Sequence, residues 1–211
     1  MKILFFGDSI TDAGRARERD GHISSLGYGY VNQVAAALSF EDPTAYTFVN
    51  RGISGNRIVD LYSRIKADVW NEVPDVLSIL IGVNDVWHDL GDRPNGVDVE
   101  RFEKVYRMLL EDTKKVLPST KIILCEPFFL HGISTDYNDG YEHFCQVPNY
   151  AAVVKKLAKE FNLPLVELQD KFDEAAEKYG YDKVLADGVH PNSFGAALIA
   201  KEWISVFKKE V

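Results

Sequence analysis

The apolar run Ile3-Leu4-Phe5-Phe6 leads directly into Gly7-Asp8-Ser9-Ile10-Thr11-Asp12. The run has the length and composition of a buried strand, and Gly7 and Asp8 are turn residues that end it. A serine held where a strand turns into a loop can point its hydroxyl into the crevice at the carboxyl end of a sheet. Open α/β folds place their ligands there. Gly-Asp-Ser is also an ordinary turn, so the weight of this reading rests on later stretches of the chain.

Strand and helix patterns alternate outward from that first strand. Strands are expected at Lys2–Phe6, Tyr46–Asn50, Val76–Ile81, Lys121–Cys125 and Leu165–Glu167. Helical patterns lie between them at Tyr28–Leu38, Arg57–Asp68, Val99–Leu117 and Val147–Glu160, and two more follow at Asp170–Tyr179 and Ser193–Phe207. Phe102, Val105, Tyr106, Leu109 and Leu110 repeat at the 3.6-residue period of a helix lying on a sheet, and Pro118 stops that helix. The strands are nearly continuous apolar runs, as when both faces are covered. The alternation predicts an α/β fold: a three-layer α/β/α sandwich around a parallel sheet.

The chain of 211 residues reads as a single domain over 1–211, long enough to bury roughly 70% of its unfolded surface. No internal repeat, low-complexity segment or long linker divides it. Two loops exceed the usual ~2–6 residues of an α/β connection: Asp12–Gly27 and Pro127–Gln146. Both leave the carboxyl edge of the expected sheet, where long loops commonly build pockets.

The net charge of −8 argues against a nucleic-acid partner, because neutralising phosphates takes clustered Lys and Arg. The basic density at Arg15, Arg17 and Arg19 is interrupted by Glu18 and Asp20 and reads as a solvated face. No apolar stretch approaches the ~20 residues of a membrane helix, and no leader pattern precedes the first strand, so a cytoplasmic protein is expected. Two cysteines, Cys125 and Cys145, do not make a disulfide framework. Cys125 ends an apolar strand and is expected to be a buried thiol. His22, His88, His131 and His143 show no metal-ligand spacing, so no metal is expected.

Three further stretches carry chemistry: Asn50-Arg51-Gly52-Ile53-Ser54-Gly55-Asn56, Ile81-Gly82-Val83-Asn84-Asp85 and Asp187-Gly188-Val189-His190-Pro191-Asn192. A serine, a histidine and a carboxylate can serve as nucleophile, general base and the group that orients the base. Asp187 and His190 are spaced so that the carboxylate meets imidazole Nδ1–H and leaves Nε2 to face Ser9. A glycine N–H and an asparagine amide beside the N–H of Ser9 suit an oxyanion. Asn192 or Ser193 can cap the last helix, whose Phe194, Leu198, Ile199 and Trp203 would anchor the loop.

Gly7-Asp8-Ser9, Gly52, Gly82-Val83-Asn84-Asp85 and Asp187-Gly188-Val189-His190 resemble, in order, the four blocks of the GDSL, or SGNH, hydrolases. The resemblance spans nearly the whole chain. It implies a flavodoxin-like sandwich with a five-stranded parallel sheet and a serine esterase without a cofactor. By resemblance, Ser9 is the nucleophile, His190 the general base and Asp187 its orienting acid. The N–H groups of Ser9 and Gly52 and the side chain of Asn84 correspond to the oxyanion hole, with Asp8, Tyr28 and Trp87 at the substrate. Gly-x-Ser-x-Gly is absent, which sets the chain apart from the α/β-hydrolase elbow.

Gly7–Arg17, Gly27-Tyr28-Gly29-Tyr30-Val31 and Asn84-Asp85-Val86-Trp87 are similar to the cytoplasmic acetylxylan esterases of that family, which implies acetyl esters of xylo-oligosaccharides as substrates. That group has a tryptophan before the orienting aspartate, where this chain has Ala186, so the wall around the acetyl group is expected to differ. A broad acyl-ester hydrolase, thioesterase or lysophospholipase is the alternative within the class and would need a long apolar cleft. Outside it stand an inactive glycan-binding module and a flavodoxin-like nucleotide binder, although the first strand lacks the Gly-x-Gly-x-x-Gly turn of a dinucleotide site.

Simpler readings stand beside these. His190 alone could be structural, Asn84-Asp85 could cap a helix, and Gly52 and Gly55 could merely allow a tight turn. Trp87 could be a plain core or surface aromatic, and Arg51 and Arg57 read as structural or surface groups. Tyr137, Tyr141 and Phe144 could stack on a sugar, form a satellite core or make a subunit contact in a homo-oligomer.

Overall fold

The computed structural model describes residues 1–137 and 140–211. Five parallel strands form one sheet: β1 (Lys2–Gly7), β2 (Thr47–Gly52), β3 (Val76–Leu80), β4 (Lys121–Cys125) and β5 (Leu165–Val166). Their order is β2-β1-β3-β4-β5, so the expected five-stranded α/β sandwich is the architecture found. The helices are α1 (Ser9–Asp12), α2 (Tyr30–Glu41), α3 (Ile58–Ile65), α4 (Val83–Trp87), α5 (Val99–Val116), α6 (Gly140–Phe144), α7 (Val147–Phe161), α8 (Gln169–Tyr179) and α9 (Ser193–Glu210). None is long and apolar enough to cross a membrane among the described residues.

Alternation along β1 assigns the two faces of the sheet. Phe5 meets Tyr30 of α2 and Trp203 of α9 at ring separations of 5.7 and 5.1 Å. Phe6, one residue on, points the other way, and the Arg64 guanidinium of α3 lies 4.3 Å above its ring. The chain steps from β1 outward to β2, then back past β1 to β3. Right-handed crossovers therefore send α2 and α3 to opposite faces. The reversal between β1 and β3 is the topological switch point, where the loops part and leave a crevice. Ser9 follows β1 and Asn84 follows β3, so both open onto it.

Core side chains such as Trp203, Phe5, Phe6 and Phe102 are fully buried, each contributing about 1.5–3 kcal/mol. The indole Nε1 of Trp203 donates to Ser78 Oγ at 2.9 Å, which satisfies the one polar side chain inside β3. Cys125 is buried as expected, and burial pushes its thiol up to about 12.

Three local expectations change. The helix expected at Arg57–Asp68 ends at Ile65 and widens into a π turn at Lys66–Trp70. There Asn71 N–H reaches back five residues to Lys66 C=O. Asp85 does not cap its own helix: it accepts from Ile58 N–H at 3.1 Å and caps α3. Phe194 is exposed and packs edge-on against Tyr179 rather than in the core. Of the two candidate caps for α9, Asn192 is used, its Oδ1 accepting from Phe194 and Gly195 N–H.

Candidate active site

The turn after β1 sets the serine. Asp8 Oδ1 accepts from Ile10 N–H at 2.9 Å and caps α1, leaving Ser9 at its first position. N–H groups there have no partner within the helix. Asp8 is 1% exposed, so the sequence-based expectation that it contacts substrate is corrected. It builds the turn beneath the serine. Its other oxygen, Oδ2, has no hydrogen-bond partner among the described residues. Burial raises this carboxyl to about 7, against the opposing pull of the Ile10 N–H and the nearby His190.

Ser9 Oγ lies 2.9 Å from His190 Nε2, and His190 Nδ1 lies 2.8 Å from Asp187 Oδ2. Asp187 Oδ1 also accepts from the backbone N–H of Val189 and His190 at 3.0 and 2.8 Å. One carboxylate thus folds its own loop and orients the ring at its end. Partial burial pulls the Asp187 carboxyl up. The hydrogen bonds from His190 and from the two N–H groups, with the imidazole's charge, outweigh that and hold it well below the usual carboxylate range. The hydrogen bond to Asp187 raises His190 above its ordinary value, against the opposing effect of burial.

Sequence reasoning missed Ser134. The loop after β4 lies along this turn through Leu130 N–H to Gly188 C=O and Ser134 N–H to Asp187 C=O. From it Ser134 Oγ donates to Asp187 Oδ2 at 3.2 Å. The two serve one turn from 53 positions apart, and only the fold brings them together.

The structure also corrects the oxyanion glycine. Gly52 N–H donates to Asn50 Oδ1 at 2.8 Å in a buried position, so it is not available to a ligand. Gly52 is a glycine because β2 ends against α1: a Cβ there would stand 2.2 Å from Asp12 N. Asn50 holds that junction, its Nδ2 donating to Thr11 and Leu26 C=O. Gly52→Ala is accordingly expected to lose about 1–3 kcal/mol of stability through overpacking. Thermal unfolding should register this as a fall of at least about 2–4 °C.

Gly55, three residues on, is the donor the turn exposes. It adopts φ +81°, a left-handed conformation suited to glycine, and its N–H bonds to nothing among the described residues. The turn that holds it sits between α1 and Asn84: Ser54 N–H donates to Asp12 Oδ2 at 3.1 Å, and Asn84 Nδ2 donates to Asn56 C=O at 3.1 Å. A primary amide has two N–H donors, so Asn84 keeps one after this bond. The signal for Gly55 was in the sequence as the second glycine of Gly52-Ile53-Ser54-Gly55.

Trp87 packs its ring 5.9 Å from that of His190 and edge-on against Phe144 at 5.5 Å. His143 of α6 donates from Nε2 to Val86 C=O at 2.9 Å, fixing α6 over α4. Tyr28 is 77% exposed and lines a small cavity beside Ser9 with Ile10, Ala13, Tyr30 and Pro191. That cavity measures about 70 Å³. A larger hollow of about 390 Å³ lies behind α2, against β2 and residues 21–26, and includes none of Ser9, Asn84 or His190.

Known proteins resemble this chain over nearly its whole length. The model of the GDSL-like lipase/acylhydrolase family matches residues 5–198. An acetylxylan esterase of Geobacillus stearothermophilus is 38% identical over 210 residues, covering 96% of this chain and 92% of the relative. A crystal structure of an acetylxylan esterase from that organism superposes with a TM-score of 0.85 at 36% identity, over 97% of this chain and 92% of the other. A GDSL-like lipase structure from Parabacteroides merdae gives 0.88 at 40% identity, over 98% and 95%. The chain belongs to the GDSL-like lipase/acylhydrolase family.

Proposed function

We propose that the protein is a serine esterase that removes acetyl groups from xylo-oligosaccharides. The observation that carries the acyl preference is the cavity of about 70 Å³ beside Ser9. That is well below the ~300–1,000 Å³ of a drug-sized ligand's pocket, and its lining by Ile10, Ala13, Tyr30 and Pro191 supports a short acyl group. The sugar preference is supported by the acetylxylan esterase similarity over nearly the whole chain.

In this reading His190 Nε2 accepts the proton of Ser9 Oγ as the oxygen attacks the acetyl carbonyl. The imidazolium that forms is stabilised by Asp187. The tetrahedral oxyanion lies among the N–H groups of Ser9 and Gly55 and the free amide hydrogen of Asn84, donors fixed before the charge develops. His190 returns the proton to the departing sugar hydroxyl, leaving acetyl-Ser9. A water deprotonated by His190 then attacks the acyl carbonyl and releases acetate. Removing one oxyanion donor typically costs ~10²–10³ in turnover. Asn84→Ala should lose that much kcat with KM changed little, and an undiminished kcat would remove Asn84 from the oxyanion site.

Acyl chain length tests the proposal. On nitrophenyl acetate, butyrate and octanoate, kcat/KM should fall as the chain outgrows the cavity. Rates that climb toward octanoate would favour a lipase or thioesterase.

A further inference from the structure

The 185–191 loop is a wall shared by two cavities. His190 and Pro191 face the small cavity at Ser9. Leu185 and Ala186 face a second, open cleft of about 510 Å³, lined also by His131, Ile133, Asp136, Tyr181 and Asp182. Ala186 N–H donates to His190 C=O at 2.7 Å, and its exposed methyl adjoins the orienting carboxylate. An alanine at this position leaves the cleft open up to the catalytic turn.

A continuous series of aromatic rings joins the two places. From His190 it runs through Trp87, Phe144, Phe129, Tyr141 and His131 to Tyr181, with neighbouring centroids 3.6–6.0 Å apart. Phe144 and Phe129 are buried and hold the series rigid. Phe144 is therefore part of the main core, not a sugar platform. At the far end His131 stacks flat on Tyr141 at 3.6 Å, and Tyr181 stands edge-on to it, 46% exposed. Ile133 adds an exposed apolar side chain.

The polar groups suit a neutral polyol. Asp136 and Asp182 are acceptors for hydroxyl hydrogens, with Asp136 held by His131 Nδ1 at 3.0 Å. Neither Lys nor Arg lines the cleft, and the nearby Lys183 ammonium is paired with Asp182 at 2.6 Å, which favours a neutral ligand over an anion. Rigid aromatic faces beside a few fixed polar groups are the composition of small-ligand sites, and the volume lies in their usual range of ~300–1,000 Å³.

We propose that this cleft is a distal subsite for a sugar ring of the oligosaccharide, away from the ring that carries the acetyl group. The proposal rests on the deacetylase reading above for its substrate class. It makes Tyr181 a specificity residue: aromatic contact there anchors longer chains and leaves the acyl chemistry to Ser9 and His190.

The test is binding of unacetylated xylotetraose and xylobiose to the Ser9→Ala protein by calorimetry, which needs no turnover. Xylotetraose should bind more tightly than xylobiose, and Tyr181→Ala should weaken xylotetraose about tenfold with xylobiose changed much less. Equal affinities for the two sugars, or xylotetraose binding indifferent to Tyr181→Ala, would overturn the subsite. Ala186→Trp, which fills the same cleft from its other wall, should abolish the tetraose advantage and serves if Tyr181→Ala unfolds the 181–186 segment. Turnover distinguishes the two proposals: an enzyme that deacetylates xylobiose but shows no length-dependent binding keeps the activity and loses the subsite. Length-dependent xylotetraose binding by a protein that deacetylates no sugar keeps the glycan cleft and loses the deacetylase.

Discussion

Ser9→Ala is expected to lower kcat by about 10⁶, the loss seen when the nucleophile is removed from a serine–histidine–acid set. Ser9 Oγ has one described partner, His190 Nε2, and α1 is capped by Asp8, not by Ser9. The loss should therefore come without a change in thermal midpoint or in binding of a deacetylated sugar. Loss of the oxygen removes the acyl-enzyme altogether, and any remaining rate reflects the oxyanion donors acting on water. Mass spectrometry after a fluorophosphonate checks the same point: the intact protein gains one adduct on the Ser9 peptide, and Ser9→Ala gains none there. A variant retaining more than about a hundredth of the activity would mean another nucleophile.

Asp187→Asn is the second large effect, expected at about 10⁴ in kcat because the amide favours the wrong imidazole tautomer. It carries a pH signature. Asp187 raises His190 above its ordinary value of 6.5, and the reaction needs the neutral ring. For the wild type, kcat/KM should therefore climb with pH through a midpoint above 6.5 and level off once His190 has lost its proton. Asp187→Asn removes the main cause of the raised value, so its residual activity should rise at lower pH than that of the wild type. Ser134→Ala removes one of several donors to Asp187 but keeps the His190–Asp187 hydrogen bond, so its profile should stay close to that of the wild type. A profile unchanged in Asp187→Asn would show that the observed limb belongs to a different group. Asp8, raised to about 7 beneath the serine, is that alternative, and Asp8→Asn would erase such a limb while preserving the cap.

The sheet could be read from the chain because both faces are covered. Ile79, Leu80 and Ile81 or Ile122, Ile123 and Leu124 are apolar on consecutive positions, the pattern of strands covered on both faces, and their shortness sets them apart from buried helices. Five strands found within one or two residues of their expected bounds follow from that. The serine, the histidine and its aspartate were legible through the motifs that carry them: Asp187 and His190 lie three residues apart in one turn, while Ser9 meets His190 from 181 positions away. What the sequence concealed depends on side chains meeting across the fold. Gly52 and Gly55 are indistinguishable as letters. The choice between them turns on the Asn50 amide, which consumes one N–H, and on the backbone twist that exposes the other. The resemblance put Asp8 at the substrate, yet its carboxylate is buried and spent on capping the short helix α1. Short helices α4 and α6 carry too few residues for a periodic signal. The π turn after Ile65 is invisible in a pattern that continues helically through Asp68.

Acetate release from acetylated xylobiose, followed side by side for the wild type and Ser9→Ala, is the decisive measurement for a Ser9-dependent deacetylase. The wild type should release acetate together with unacetylated xylobiose, and Ser9→Ala should release none above background. A wild-type protein that leaves the acetylated sugar intact while hydrolysing octanoyl esters through Ser9 would contradict the deacetylase reading.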